Sequence, residues 1–142
     1  MINFYGRRFG LLLISVITLT SIAHSAQAEL INATINGSKP RVIHTFAVWL
    51  NEKGSCLSGT LPQFTITHRP RNGRLTLKRG RVSVNEAACK GKRINGYKII
   101  YQPNRGFRGF DQGSVKFRWK RHPKKIFQKY GTRKFEYVVD VK

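Results

Sequence analysis

The chain contains the stretch Val115-Lys116-Phe117-Arg118-Trp119-Lys120, in which apolar and basic side chains alternate without a break. Successive side chains of a β-strand point to opposite faces of a sheet, so this period of two predicts a strand with an apolar core face and a uniformly basic outer face. Residues 134–142 show a similar alternation, with apolar side chains from Phe135 to Val141 facing inward. These two segments favour a β-protein.

The same pattern locates other strands upstream. Residues 63–68 place Phe64 and Ile66 inward, and residues 97–102 form another strand before a loop over Pro103–Asp111. From residue 40 onward no stretch holds a 3.6-residue period for three turns. About seven short strands at intervals of roughly 8 to 12 residues, with turn signals between them, are typical of an antiparallel β-sandwich, and a small barrel is the alternative.

Two further segments give specific predictions about strand position. The nearly continuous apolar run Arg41–Leu50 predicts a central strand covered on both faces, followed by a polar turn over residues 51–59. A two-residue loop at Arg79-Gly80 predicts a hairpin that sets two apolar pairs opposite each other. Residues 29–39 are interpreted as a loosely held leader or a first edge strand.

The first 28 residues have the pattern of a secretory signal. Arg7 and Arg8 give a positive start, Leu11–Ile17 an apolar centre, and Ala26-Gln27-Ala28 a small-residue cleavage site. A membrane anchor is the competing interpretation, but polar residues within Thr18–His24 interrupt the apolar run well short of the ~20 residues that a spanning helix needs. We therefore expect residues 1–28 to be removed and residues 29–142 to be exported, to the periplasm or outside the cell, as a single domain.

The charge of the chain is extreme. It has 27 Lys and Arg against six Asp and Glu, a formal net charge of +21. Removal of residues 1–28 would leave 25 basic and six acidic residues, a net charge of +19 on 114 residues. Net charge so far from zero bears on partners and solubility rather than on fold, and it favours an anionic partner. Export excludes the genome and cytosolic RNA as everyday partners.

The cysteine count also favours an exported domain. The chain has two cysteines, Cys56 and Cys89, without the close spacing of a catalytic or metal-binding pair. In an exported domain of this size they are expected to form one structural disulfide. Closing this loop should stabilise the fold by roughly 3 to 4 kcal/mol on the chain-entropy model.

Three segments together resemble the bacterial cadherin-like and Ig-like repeats. They are Pro70–Leu77, Tyr97–Tyr101 and Gln102–Asp111, which follow the family's order of P-x-x-G strand, tyrosine strand and P-N-x-x-F-x-G-x-D loop. The similarity covers about residues 62–119. It implies an Ig-like β-sandwich and a binding or adhesive module. The family usually occurs as acidic tandem copies, whereas this chain is a single, basic copy with a cysteine pair.

Metal binding and catalysis have little support in the sequence. Calcium takes six to eight oxygen ligands, and Asp111 is the only acidic residue between Glu86 and Glu136. Glu136 and Asp140 share a face of the last predicted strand but lie ~13 Å apart, more than the spacing of glycosidase carboxylates. No histidine or cysteine spacing suits zinc, and no nucleophile elbow is present. We expect neither a cofactor nor a metal nor enzymatic activity, although a site assembled from distant residues is invisible in one sequence.

The strongest functional signal is a basic cluster near the C-terminus, where no acidic residue occurs from Gln112 to Phe135. Arginine offers bidentate contacts to phosphate or carboxylate, while lysine supplies a point charge. The predicted anion-binding residues are Lys116, Arg118, Lys120, Arg121, Lys124, Lys125, Lys129, Arg133 and Lys134. A secondary basic face is predicted at Arg74, Lys78, Arg79 and Arg81.

These observations predict an exported, non-catalytic module that binds polyanionic polymers of the envelope or surroundings. Lipopolysaccharide, acidic polysaccharide, anionic lipid at a membrane surface and extracellular DNA all satisfy the same electrostatics. The alternative is a protein-interaction or structural module that docks on an acidic protein partner. A cationic toxin or antimicrobial factor is a third hypothesis.

Overall fold

The computed structural model describes residues 27–52, 55–86, 89–121 and 129–142. Residues 1–26, which hold most of the predicted signal peptide, lie outside the described part. Nine strands are described. They are β1 (Glu29–Ile35), β2 (Arg41–Ala47), β3 (Trp49–Glu52), β4 (Ser55–Ser58), β5 (Gln63–His68), β6 (Gly73–Ser83), β7 (Arg93–Pro103), β8 (Gly109–Lys120) and β9 (Tyr130–Val141).

The strands form two main sheets and a small hairpin. Sheet I has the order β1-β9-β8-β5, sheet II has the order β2-β7-β6, and β3 pairs with β4. All strand pairs are antiparallel except β1 with β9, which is parallel. The first strand is an edge strand, one of the two interpretations of residues 29–39. The all-β sandwich is confirmed, with more strands than the predicted seven.

The core lies between the two sheets. Sheet I contributes the alternating residues that the sequence placed inward, and Val115 and Phe117 of β8 are 0% exposed. Sheet II contributes Ile99 and Tyr101 of β7 and Phe46 of β2, whose ring centroid is 4.3 Å from that of Phe117. Full burial of such side chains contributes about 1.5 to 3 kcal/mol each. The period-two pattern therefore correctly predicts which face of β8 is buried.

A smaller second core is closed by the disulfide. Cys56 of β4 is bonded to Cys89 with Cα atoms 5.7 Å apart, as predicted. Cys89 packs with Val84 and Ile94, and Trp49 of β3 lies against them. The hairpin β3–β4 and the connection between β6 and β7 are thus tied together beside sheet II.

The prediction of a central strand over Arg41–Leu50 is wrong. The run is divided between β2, which is an edge strand of sheet II, and β3. Its residues serve the two cores in succession, since Phe46 packs in the main core and Trp49 against the second core. The apolar run is continuous because its first part is buried in the main core and its last part packs against the second core, not because one strand is buried on both faces. The predicted polar turn over residues 51–59 contains β4.

The predicted hairpin at Arg79-Gly80 is also wrong. β6 continues through both residues and pairs with β7 in an unbroken register. Leu75 and Leu77 contact the main core, but Val82 is buried on the alternate face of the same strand. Because the buried face of β6 changes along the strand, its apolar residues follow the same sequence pattern that a hairpin turn would produce.

Candidate polyanion-binding surface

The outer face of β8 carries a row of cations. Lys116, Arg118 and Lys120 are exposed, while the intervening Val115 and Phe117 are fully buried. Alternate residues of a strand lie about 6.7 Å apart, so the row presents positive charge at regular intervals. Because β8 lies between β9 and β5 inside sheet I, the backbone beneath the row is held on both sides.

Strand β9 extends this surface sideways. Lys134 lies opposite Lys116, and Tyr130 lies opposite Lys120. The guanidinium carbon of Arg118 is 3.9 Å from the centroid of the Tyr130 ring, a cation–π contact on a ring that is 43% exposed. We call the surface formed by Lys116, Arg118, Lys120, Lys134 and Tyr130 the basic face.

Among the described residues, acidic side chains neutralise little of the positive charge of the basic face. Lys134 Nζ donates a hydrogen bond of 2.7 Å to Glu136 Oε1 on the neighbouring outward position of β9. Such exposed ion pairs contribute little to stability. In the part of the chain that the structure describes, the three cations of the β8 row form no ion pair. Their charge is therefore open to an external anion.

The other residues of the predicted cluster fall in different places. Arg121 and Lys129 are exposed at the end of the basic face, where the Arg121 N–H donates to the Lys129 carbonyl at 2.8 Å. Lys124 and Lys125 lie outside the described residues. Arg133 alternates with the basic-face residues of β9 and pairs with Glu29 at 3.9 Å. The structure therefore separates Arg133 from the basic face.

Arg133 lies instead beside a cleft of about 500 Å³ at one end of the sandwich. His44, Trp49, Trp119 and Phe135 line this cleft together with the Glu29–Arg133 pair. Burial lowers the pKa of His44; Glu29 opposes this change and Arg133 adds to it. Among the described residues no group of three or more His, Cys, Asp or Glu could hold a metal ion.

The predicted secondary basic face is divided between the two sides of β6. Arg74 and Lys78 lie on the outer face of sheet II, whereas Arg79 and Arg81 alternate with them. Arg81 Nη2 donates to the Arg93 carbonyl at 2.7 Å. Lys98 of β7, which the sequence interpretation missed, lies directly opposite Lys78. Only cross-strand register reveals this pair.

A buried carboxylate at the opposite end of sheet I was also missed. Asp111 is 5% exposed and accepts hydrogen bonds from the main-chain N–H groups of Arg71 (3.1 Å), Asn72 (2.9 Å) and Gln112 (3.0 Å). It also accepts from the Tyr101 hydroxyl at 2.8 Å. Burial, with the hydrogen bond to Asp111, raises the pKa of Tyr101, so that hydroxyl stays a donor at neutral pH.

No protein-family model matches the chain, and no match is found among curated proteins or solved structures. The similarity to bacterial cadherin-like and Ig-like repeats therefore stays a prediction from the motif residues. Within the described residues, no helix is long and apolar enough to cross a bilayer.

Proposed function

We propose that this protein is an exported, non-catalytic module whose basic face binds polyanionic polymers of the envelope or surroundings. Lipopolysaccharide phosphates, acidic polysaccharide, anionic lipid headgroups and extracellular DNA share the required chemistry. The observation that supports the proposal most is the row of Lys116, Arg118 and Lys120, exposed and without an ion pair in the described part of the chain. The disulfide fits an oxidising compartment, as export would require.

Binding would consist of several screened contacts made by a prearranged surface. The row stands on a strand whose alternate residues are locked in the core, so little backbone freedom is lost on binding. The Arg118 guanidinium is stacked on Tyr130 and can offer its edge to a phosphate or carboxylate. Each contact releases counterions from the polymer, so affinity should fall steeply with salt.

The arrangement of like charges supports a role outside folding. Lys116 lies directly opposite Lys134 in sheet I, and Lys78 lies directly opposite Lys98 in sheet II. Like charges in such cross-strand positions destabilise a sheet. An anionic polymer on the basic face would relieve the repulsion between Lys116 and Lys134, so binding should also raise the melting temperature.

The direct test replaces the β8 row. The triple variant Lys116→Gln, Arg118→Gln, Lys120→Gln should lose at least tenfold in affinity for an acidic polysaccharide while keeping the parent melting temperature within a few degrees. The matched control is Arg74→Gln, Lys78→Gln, Lys98→Gln, which removes the same charge from the outer face of sheet II. Unchanged affinity of the β8 variant, or an equal loss in the control, would exclude the basic face as the binding surface.

A second candidate function is docking on an acidic protein partner. The 11-residue strand β6 forms an edge of sheet II and carries four basic side chains, so an acidic extended segment could pair with it. This interaction would be saturable and one-to-one, and it would depend on shape more than on polymer charge. An Arg79→Pro variant removes an N–H that points away from β7, so it would block strand addition at β6 and leave polymer binding by the basic face unchanged.

A further inference from the structure

We propose a second, separate site at the loop end of the sandwich, where Phe110 and surrounding arginines dock on an anionic lipid bilayer. The loop end comprises the turn 69–72 and residues 104–110, at the opposite end of β8 from Lys120. The loop end shares no residue with the basic face, to which polymer binding is assigned above. If experiments disprove this lipid-binding site, the proposal for the basic face still stands.

Phe110 is the first observation behind this site. Its side chain is 72% exposed, the highest value among the exposed large apolar residues in the described chain. The neighbouring Phe107 is partly buried and packs against the main core. Phe107 thus closes the end of the sandwich, and Phe110 adds nothing comparable to folding. An aromatic ring that faces water at the start of a strand is stabilised only when another apolar medium covers it.

The second observation is the charge around the ring. A shallow groove beside Phe110 is lined by His68, Arg71 and Asn72. Arg69, Arg105 and Arg108 are exposed in the same two loops. Asp111 at this end is buried, and its oxygens accept hydrogen bonds from main-chain and tyrosine donors. Asp140, which lies directly opposite Phe110 in β9, forms an ion pair of 3.5 Å with Lys142. The loop end therefore presents cations to solvent around one apolar ring.

The third observation is that the two loops are fixed to each other. Asp111 holds the N–H groups of Arg71 and Asn72. The Asn104 N–H donates to the Asn72 carbonyl at 2.8 Å. Gly106 has a φ of +78°, which permits the tight turn between Asn104 and Phe107. The arginines and Phe110 therefore project from a prearranged platform.

A bilayer with anionic headgroups fits both parts of this platform. Juxtamembrane basic residues are attracted to anionic lipid, and aromatic rings partition into the interface just below the headgroups. A soluble polyanion would satisfy the arginines but would leave Phe110 in water. The combination of exposed ring and arginines therefore distinguishes a lipid surface from a soluble polymer.

The test measures partitioning of the full disulfide-intact protein onto phosphatidylglycerol-containing vesicles in ~0.5 M salt, where contacts of the basic face are largely screened. Phe110→Ala should lower the partition coefficient about tenfold. Arg105→Gln with Arg108→Gln should lower it several-fold at lower salt. The matched control is Leu30→Ala, which removes a 57% exposed apolar side chain from the same outer side of sheet I, away from the loop end.

A spectroscopic arm separates lipid from polymer. Addition of anionic vesicles should shift the tryptophan emission of Phe110→Trp to shorter wavelength by more than it shifts the emission of the parent. Addition of a soluble acidic polysaccharide should cause no such shift. Leu30→Trp should show no such shift. Equal partitioning of Phe110→Ala and parent, or an equal shift for both tryptophan variants, would overturn the site. If the β8 triple variant loses polysaccharide binding and the Phe110 variants keep it, that result tests the basic face and not the loop end.

Discussion

Replacement of Asp111 with alanine should destabilise the fold more than removal of any exposed charge. The carboxylate accepts four hydrogen bonds, three from main-chain N–H groups and one from Tyr101. A hydrogen bond to a charged group contributes about 1.5 to 3 kcal/mol, but water can reach the part-buried Arg71 and Asn72 groups after the substitution. We therefore expect a loss of about 3 to 5 kcal/mol, a large share of the 5 to 15 kcal/mol typical of a whole domain. Removal of a negative charge from a strongly basic domain acts in the same direction.

Urea unfolding followed by circular dichroism, with the disulfide intact, measures this loss. With a slope of about 1 to 3 kcal/mol per molar urea, the midpoint should fall by about 2 M. Tyr101→Phe removes one of the four donors and should cost about 1 to 2 kcal/mol. In the Asp111→Ala background the same change should cost clearly less, because the partner is already gone. A cost below about 1 kcal/mol for Asp111→Ala, or full additivity with Tyr101→Phe, would refute this account of the loop end.

Two further predictions concern stability. Replacing Cys56 and Cys89 together with serine should lower the free energy of unfolding by about 3 to 4 kcal/mol, measured by urea titration, and a stability equal to that of the parent would contradict a structural role for the bond. His44 has a lowered pKa in the folded state, so its contribution is present above pH ~6.5 and is lost as the pH falls below that value, where the unfolded chain binds the proton more readily. The His44→Phe variant should show a weaker fall in melting temperature between pH 7 and pH 5, and an identical fall in both proteins would assign the effect to other groups.

The sequence predicted the strands whose covered face stays the same along their length. The alternate residues from Val115 to Trp119 in β8 and from Phe135 to Val141 in β9 meet the main core, so the period of two is preserved over these stretches. In β6 the covered face changes between Leu77 and Val82, and the local pattern became indistinguishable from a turn. Which face is covered depends on distant elements, here the other sheet and the disulfide-closed core. Local periodicity alone cannot supply that information.

The candidate sites show the same division. The β8 row was predictable because one strand contains all three cations and the core residues between them. The Lys78–Lys98 pair depends on the β6–β7 register, which no local pattern encodes. The role of Asp111 depends on contact with Arg71 and Asn72, which lie 40 and 39 residues away in the chain. Phe110 and Phe107 have similar sequence surroundings, and only the structure shows which ring is exposed.

The central claim is that the basic face binds a polyanion, and its most direct test is the salt dependence of binding. The parent, the β8 triple variant and the matched sheet II triple variant would be titrated with one acidic polysaccharide from about 0.05 to about 0.5 M salt. We expect log affinity to fall linearly with log salt, with a slope reduced by about 3 in the β8 variant and little changed in the control. Equal slopes in all three proteins, or equal reductions in both variants, would contradict the claim.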